Sequence, residues 1–210
     1  MKRQLVISEV LLSAWKGLKA EFWLLAGLII GYVIISLLLI LFIPDLKERI
    51  SITAITIMIL SYVFSIIFLL GYTKNLFQAL DHEEPQFSAY GRQSLKIITF
   101  FISYVLYLIV VALGTILFIV PGIYLALRLQ FFAAFIVDEN SGAIESFKRS
   151  WETTKGQMTP LIALALIMAG FLLLGILTLA IGIFIAIPFI GLLYCAAFRK
   201  LTTSIDQTSV

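Results

Sequence analysis

The chain has 210 residues, of which 61% are hydrophobic and only 13% are charged. Soluble domains are about half apolar and about a quarter charged, so this composition excludes an ordinary soluble domain and indicates an integral membrane protein. The net charge of +3 is explained by membrane orientation and does not indicate nucleic acid as a partner. At about 20 residues per span the length allows roughly six helices, so we expect one polytopic membrane domain over residues 1–210.

Six apolar runs follow one another along the chain and predict an all-α fold of six transmembrane helices. The runs are residues 22–43, 52–72, 97–120, 122–137, 161–180 and 183–198. The fourth and sixth runs are short for a hydrocarbon core about 30 Å thick, so they are expected to extend with polar turns or to thin the bilayer locally. Pro121 and Gly122 separate the third run from the fourth. Gly182 and Pro188 both interrupt the last stretch, which leaves the turn between helices five and six open.

The distribution of basic residues predicts the orientation of these helices, because cytoplasmic segments are enriched in lysine and arginine. With the N-terminus inside the cell, twelve basic residues lie on the cytoplasmic side and two, Lys47 and Arg49, lie outside. Both termini are therefore expected in the cytoplasm, and the six helices are expected to form three hairpins.

Two segments, residues 4–20 and 141–156, precede helices one and five and are too polar to span the membrane. Each places apolar side chains on one helical face and charged side chains on the opposite face. We therefore expect two amphipathic helices in the cytoplasmic interface. The same pattern also fits a helix face that packs against the bundle, and both interpretations carry equal weight.

The two amphipathic segments align with each other at a shift of 136 residues, and this predicts a degenerate internal repeat. Trp15 and Lys19 of the first segment match Trp151 and Lys155 of the second. In an interfacial helix each tryptophan lies at headgroup level and each lysine lies toward anionic lipid. Anionic phospholipid at the cytoplasmic face is therefore the expected partner of these four residues.

A family resemblance lies in "VPGIYLALRLQFFAAFIVDENSGAIESFKRSWETTKGQ", followed by an apolar stretch that ends in "IPFIGLLYCAAFRKL". This half of the chain resembles the membrane domain attached to some bacterial glycerophosphodiester phosphodiesterases and the related stand-alone YciC-like membrane proteins. The matching pattern is Pro-Gly, an arginine six residues later, an acidic pair, then Ser-Trp and Thr-Lys-Gly; the N-terminal half matches loosely. The resemblance implies a six-helix protein of the bacterial inner membrane. It implies no phosphodiesterase activity, because the catalytic domain of those enzymes has no counterpart in these residues.

Arg128 stands inside the fourth apolar run, about 15 Å from its cytoplasmic end at a rise of about 1.5 Å per residue. An unpaired arginine at that depth costs roughly 3 kcal/mol on insertion scales, so neighbouring groups must offset it. Tyr124 shares its helical face and Gln130 points elsewhere, so we expect protein rather than lipid around this helix. In one interpretation Arg128 reaches toward the cytoplasm and ties helix ends together. In the other, Arg128, Gln130 and Tyr124 bind a lipid phosphate or small carboxylate in an inward cavity.

The sequence offers little for catalysis, and we expect neither an enzyme, nor a cofactor, nor a bound metal. The single histidine, His82, lies in a polar loop with flexible carboxylates, and no Asp, Glu or His lies inside a predicted span. Gly27 and Gly31 form a Gly-x-x-x-Gly pair in helix one, which predicts close helix packing within the chain or, alternatively, in a dimer. The oligomeric state is left open.

These features predict a non-catalytic membrane protein that acts as a scaffold or accessory subunit and binds lipid or a membrane-protein partner. The alternative is a small permease or lipid-handling protein with an inward cavity around Arg128. An intramembrane enzyme is the least favoured class. A polar cavity that reaches Arg128 favours the permease, whereas a closed bundle with an exposed groove of small residues favours the scaffold.

Overall fold

A computed structural model describes residues 5–41, 52–178 and 181–206, and these residues form nine helices and no strand. The helices are α1 (Ile7–Leu41), α2 (Ile52–Leu80), α3 (Ser88–Ser94), α4 (Ile97–Leu117), α5 (Ile119–Leu129), α6 (Phe132–Glu139), α7 (Ala143–Thr153), α8 (Met158–Leu177) and α9 (Ile181–Asp206). Six segments are long and apolar enough to cross a membrane: α1, α2, α4, the α5–α6 pair, α8 and most of α9. The prediction of an all-α, multi-pass membrane protein is confirmed.

The first predicted interfacial helix and the first predicted span form one continuous element, α1. Its backbone leaves helical geometry at Glu21, where φ is −120° and ψ is 20°, close to the predicted boundary between the two. The second amphipathic segment is the separate helix α7. Residue 4, the predicted span ends at 42–43 and 179–180, and the two outside basic residues, Lys47 and Arg49, lie outside the described residues.

The fourth span is two helices rather than the single helix predicted over residues 122–137. α5 begins at Ile119, because Pro121 fits the first turn of a helix, where its missing N–H would have no partner. The chain enters α5 from α4 through one extended residue, Phe118. This tight turn needs a glycine, since a Cβ on Gly122 would lie 2.9 Å from the Cα of Thr115. The helix then breaks again at Gln130, before α6.

The buried core lies toward the end of the bundle that carries Lys74, Asp138 and Arg199, which we call the charged end. Its largest fully buried side chains come from α1, α2, α6, α8 and α9 and from the residue before α6, for example Phe77, Phe131, Phe135, Phe198 and Leu192. The α5–α6 span and the α9 span are 44% and 50% buried within their apolar windows, against 11–17% for the other four. The remaining apolar surfaces are exposed, as expected of helices that use lipid as their solvent.

Candidate functional site

Two hydroxyl groups, on α7 and at the residue after it, form hydrogen bonds with the backbone at the break between α5 and α6. Buried backbone groups that a helix end leaves unpaired need other partners. The carbonyl of Arg128 accepts hydrogen bonds from Ser150 Oγ at 2.9 Å and from Thr154 Oγ1 at 3.0 Å. Ser150 Oγ also accepts a hydrogen bond from the N–H of Phe131 at 3.2 Å. The polar face of α7 therefore stabilises the break in the fourth span.

Gln130 occupies the break and takes part through its backbone. Its carbonyl accepts a hydrogen bond from the hydroxyl of Tyr194, on α9, at 2.9 Å. Its side-chain Nε2 is buried and makes no hydrogen bond within the described part of the chain. The ring of Tyr194 also packs on the ring of Phe131, with centroids 5.2 Å apart. The break is thus held from α9 as well as from α7.

The side chain of Arg128 is enclosed, with only 3% of the residue exposed. Its guanidinium carbon lies 4.1 Å from the centroid of the Trp151 ring and 5.9 Å from that of Tyr124. The rings of Tyr124 and Trp151 meet edge to face, with centroids 6.0 Å apart. None of the ion pairs between described residues includes Arg128, and its Nε has no hydrogen-bond partner there. Aromatic faces are therefore the main charge-stabilising contacts of this arginine.

The predicted anion trio of Arg128, Gln130 and Tyr124 is brought together only in part. Tyr124 lies beside the guanidinium, as the shared helical face predicts. The closest ring, however, belongs to Trp151, which the sequence assigned to the headgroup region. The rings cover the face of the guanidinium, and only 3% of the residue is exposed to an approaching anion. The arrangement is suited to shielding a charge rather than to exchanging a ligand with solvent.

The two matched tryptophan–lysine pairs lie in different surroundings. Lys19 Nζ lies 5.3 Å from the centroid of the Trp15 ring, and that ring meets Phe189 of α9 edge to face at 6.0 Å. Trp151 instead covers Arg128, while Lys155 is exposed. Both tryptophans are partly exposed and also touch the bundle, so each makes packing contacts, and their position at headgroup level stays a prediction.

A second polar group, which we call the Asp138 cluster, lies at the charged end and consists of Asp138, Lys74, Arg199 and Asp81. The Asp138 side chain is 5% exposed and pairs with Lys74 Nζ at 2.9 Å and with Arg199 Nη1 at 2.7 Å. Arg199 also pairs with Asp81 at 2.5 Å. These contacts connect α2, α6 and α9. A buried carboxylate requires such partners, because desolvation disfavours an isolated charge.

Lys96, just before α4, closes the C-terminal end of α6. Its Nζ donates hydrogen bonds to the carbonyls of Ile136 and Val137, both at 2.9 Å. Burial lowers the pKa of the Lys96 ammonium group, the charge of Lys74 lowers it further, and Asp138 acts in the opposite direction. A cation at these last carbonyls also complements the negative end of the helix dipole.

An open groove lies between α1 and α2, with a cavity volume of about 620 Å³. We call it the α1/α2 groove; it is lined by one face of α1 from Trp23 to Ile35, by Phe64, Ile67 and Phe68 of α2, and by Phe87 and Tyr90. Gly27 and Gly31 lie on its α1 side, and a Cβ added to either would meet nothing within 4 Å. The Gly-x-x-x-Gly pair therefore lies in a groove and makes no close helix contact within the described chain. Packing in a dimer, the alternative that the sequence left open, stays a prediction.

Aromatic rings from α1, α2 and α3 line the groove together with the glycines. Tyr32 stacks on Phe68 at 4.3 Å and on Phe64 at 5.7 Å, and its hydroxyl is hydrogen-bonded with Ser65 at 3.1 Å. Tyr90 lies directly against Gly71, since a Cβ at that glycine would overlap its ring. At Tyr32 the polar atom of this wall has a hydrogen-bond partner. The groove therefore offers an apolar surface to an occupant.

The described residues provide no group of three or more His, Cys, Asp or Glu side chains that could hold a metal ion. The chemistry available at the Arg128 site is hydrogen bonding and shielding of charge, and the chemistry of the groove is apolar contact. Neither arrangement contains a nucleophile joined to a general base.

A comparison with protein families matches residues 87–208, more than half of the chain, to the model of a domain of unknown function, DUF7847. The chain belongs to the DUF7847 family. No curated protein and no solved structure matches it. The DUF7847 match begins at Phe87, directly before α3, and contains all of α9. It contains the Arg128 site but only part of the α1/α2 groove and of the Asp138 cluster, because α1 and α2 lie before it.

Several residues that build these sites were not singled out from the sequence. Ser150 and Thr154 lie four positions apart in an amphipathic helix, a spacing that marks a shared face but does not reveal which backbone it serves. Lys96 and Asp138 stand at the ends of apolar runs, where charged residues are ordinary. Ser146, Ser150 and Thr154 recur every four residues in the sequence. This row of hydroxyl groups was the sequence signal that could have shown that α7 packs against protein; in the structure these residues are buried.

Proposed function

We propose that this DUF7847 protein is a non-catalytic scaffold or accessory protein of the bacterial inner membrane that binds phospholipid in the α1/α2 groove. The observation that carries the proposal is the contrast between this open groove and the enclosed Arg128. A permease of the kind considered above would need its buried arginine to face an aqueous cavity. Here Trp151 and Tyr124 cover the guanidinium, which supports the scaffold over the permease.

The proposed topology puts the charged end in the cytoplasm, with three helical hairpins each entered through an interfacial segment. The contacts between consecutive helices support this arrangement, because α1 packs on α2, α4 on α5 and α8 on α9. The basic residues at the charged end, including Lys74, Lys96 and Arg199, agree with the enrichment of cations on the cytoplasmic side.

A groove-filling pair of substitutions tests the proposal. Gly27→Leu combined with Gly31→Leu places two side chains in open space, and leucine favours helix over glycine by about 1 kcal/mol per site, so the fold is expected to persist. The matched control is Gly170→Leu on α8, where an added Cβ also meets nothing within 4 Å. Each protein is purified in mild detergent, and its bound lipid is measured by native mass spectrometry.

We expect the wild-type protein and the Gly170→Leu control to retain phospholipid and the groove-filled variant to lose most of it. Equal retention by all three proteins would reject the groove as the lipid site. A wild-type protein that carries no phospholipid would reject the proposed function itself.

A further inference from the structure

Large apolar side chains stand on the outside of the short helix α3, while a polar side chain lies on its inside. Phe87, directly before the helix, is 77% exposed, and Leu95, directly after it, is 88% exposed. Gln93, by contrast, is only 5% exposed. A helix that packs on a protein and faces water on its other side buries its apolar residues. The reversed arrangement indicates that part of the outer surface of α3 meets an apolar environment.

Two contacts fix how α3 is turned against the bundle. The ring of Tyr90 lies directly on α2 at Gly71, where a Cβ would overlap it. Gln93 Nε2 donates a hydrogen bond to the carbonyl of Val137, on α6, at 3.3 Å. The residues on both sides of α3 also have helical backbone dihedrals, so residues 87–95 follow one helical course. The side chains that contact the bundle therefore determine the direction of all the others in this segment.

The exposed side of α3 has an apolar edge and a charged edge. At 3.6 residues per turn Arg92 lies about 140° around the axis from Phe87, and Leu95 lies between them at about 80°. Phe87 lines the α1/α2 groove together with Tyr90, whereas Arg92 and its hydrogen-bond partner Ser88 are not among the described residues that line it. The groove runs along the spans α1 and α2, so the Phe87 edge of α3 points toward the hydrocarbon core. The Arg92 edge points away from it.

The segments on either side of α3 place it at the surface of the bilayer. The membrane-spanning helix α4 begins at Ile97, two residues after Leu95. The loop before α3 contains exposed charged residues, among them Glu83 and Glu84. Since a span begins at one end of α3 and a charged loop arrives at the other, the helix lies between hydrocarbon and water. In this zone an amphipathic helix is stabilised by burying its apolar edge at the boundary between headgroups and acyl chains.

From these observations we propose that α3 is embedded in the headgroup region of the bilayer, with the Phe87 side chain among the acyl chains and Arg92 on the water side. The partner of this surface is the bilayer itself, and apolar contact holds α3 there. The inference gives an orientation and a depth to the interfacial segment that the proposed topology has before α4. It requires neither a lipid in the α1/α2 groove nor a particular side of the membrane for the charged end.

The test measures depth in the bilayer with nitroxide labels on single cysteines. Phe87→Cys, Leu95→Cys and Arg92→Cys are made in a Cys195→Ala background, because Cys195 is the single cysteine of the chain. All three positions are exposed, so a label there leaves the packing of the bundle intact. The proteins are placed in nanodiscs of phosphatidylethanolamine and phosphatidylglycerol. Molecular oxygen concentrates among the acyl chains and a nickel chelate stays in water, so the ratio of their collision rates with the label, measured by electron paramagnetic resonance, reports depth.

Two further positions in the same protein calibrate this ratio. Ile109→Cys is the membrane reference, because Ile109 lies in the middle of α4 and is exposed. Glu84→Cys, in the exposed loop before α3, is the water reference. We expect the oxygen-to-nickel ratio at Phe87 to approach that at Ile109 and to exceed that at Arg92 several-fold. The ratio at Arg92 should be close to that at Glu84.

A ratio at Phe87 as low as that at Glu84 would overturn the inference, since α3 would then lie in water. An equally high ratio at Phe87 and Arg92 would overturn the orientation of the helix. Low collision rates of the Phe87 label with both reagents would mean that protein, such as a second copy of this chain, covers this face instead of lipid. Each of these outcomes leaves the groove proposal standing, because the groove-filled variant tests phospholipid retention separately.

Discussion

The guanidinium of Arg128 lies face-on to the indole of Trp151, 4.1 Å from the ring centroid, although the two residues belong to different helices. A cation over an aromatic face gains electrostatic stabilisation that grows as water is excluded. Here the arginine is almost completely buried, and no ion pair between described residues includes it. The same helix that supplies the indole also supplies Ser150 to the carbonyl of Arg128. α7 therefore stabilises both the charge and the backbone break of the fourth span.

Replacing Trp151 tests this relationship. Trp151→Leu should lower the free energy of unfolding by about 2 kcal/mol, because a desolvated cation–π contact is worth roughly that amount. Trp151→Phe should cost less, since a phenyl face remains over the guanidinium. Unfolding can be followed by thiol-reactive dye labelling of the buried Cys195.

Arg128→Met and the Arg128→Met, Trp151→Leu double variant complete a thermodynamic cycle for this pair. If the pair forms a cation–π contact, Trp151→Leu should lower the free energy of unfolding clearly less in the Arg128→Met background than in the wild-type protein. Equal costs in both backgrounds would show that Trp151 acts through packing alone.

Ser150 and Thr154 should differ in their contribution to stability, although both donate to the carbonyl of Arg128. Ser150→Ala removes that donor and also leaves the N–H of Phe131 without its acceptor, so we expect a loss of about 2 kcal/mol. Thr154→Val keeps the shape and leaves Ser150 to satisfy the carbonyl, so its expected cost is below about 1 kcal/mol. Dye labelling of Cys195 during heating compares the two. A larger effect of Thr154→Val would contradict the double role of Ser150.

Hydropathy was sufficient to predict the six spans, because a span must be apolar along most of its length and this requirement is local. The break at Gln130 could not be predicted, since neither proline nor glycine stands there and the apolar run continues on both sides. Its partners, Ser150 and Tyr194, come from distant parts of the chain. Gly27 and Gly31 illustrate another limit: small residues allow close approach, but the sequence does not show whether a helix or an open groove lies opposite them.

Asp138 should contribute more to stability than the other acidic residue of its cluster. Asp138→Asn removes the charge that pairs with both Lys74 and Arg199, and the carboxylate lies in a buried position. We expect the free energy of unfolding to fall by roughly 2 kcal/mol, which is within the range for hydrogen bonds to charged groups. Asp81→Asn is the control, because Asp81 is exposed and its pair with Arg199 should be worth less than about 1 kcal/mol. Equal effects of the two variants on the unfolding temperature would contradict this ranking.

Tyr90 should make stability depend on pH in the alkaline range. Burial raises the pKa of its hydroxyl from an ordinary value of 10.0 to about 12, because the apolar surroundings disfavour the phenolate. Between these two values the unfolded chain loses this proton before the folded chain does. The contribution of this hydroxyl to the free energy of unfolding is therefore fully present below about pH 10 and declines as the pH rises toward about 12. Tyr90→Phe has no proton to lose and should lack this part of the decline.

The measurement compares wild type with Tyr90→Phe in thermal unfolding across that pH range, together with the ultraviolet absorbance of the phenolate in the folded proteins. The difference between the two proteins isolates Tyr90 from the other tyrosines. Parallel stability curves would mean that the Tyr90 hydroxyl reaches water in the folded state. Because the Tyr90 ring packs against Gly71 and lines the groove, such a result would also place water in the part of the α1/α2 groove that Tyr90 lines.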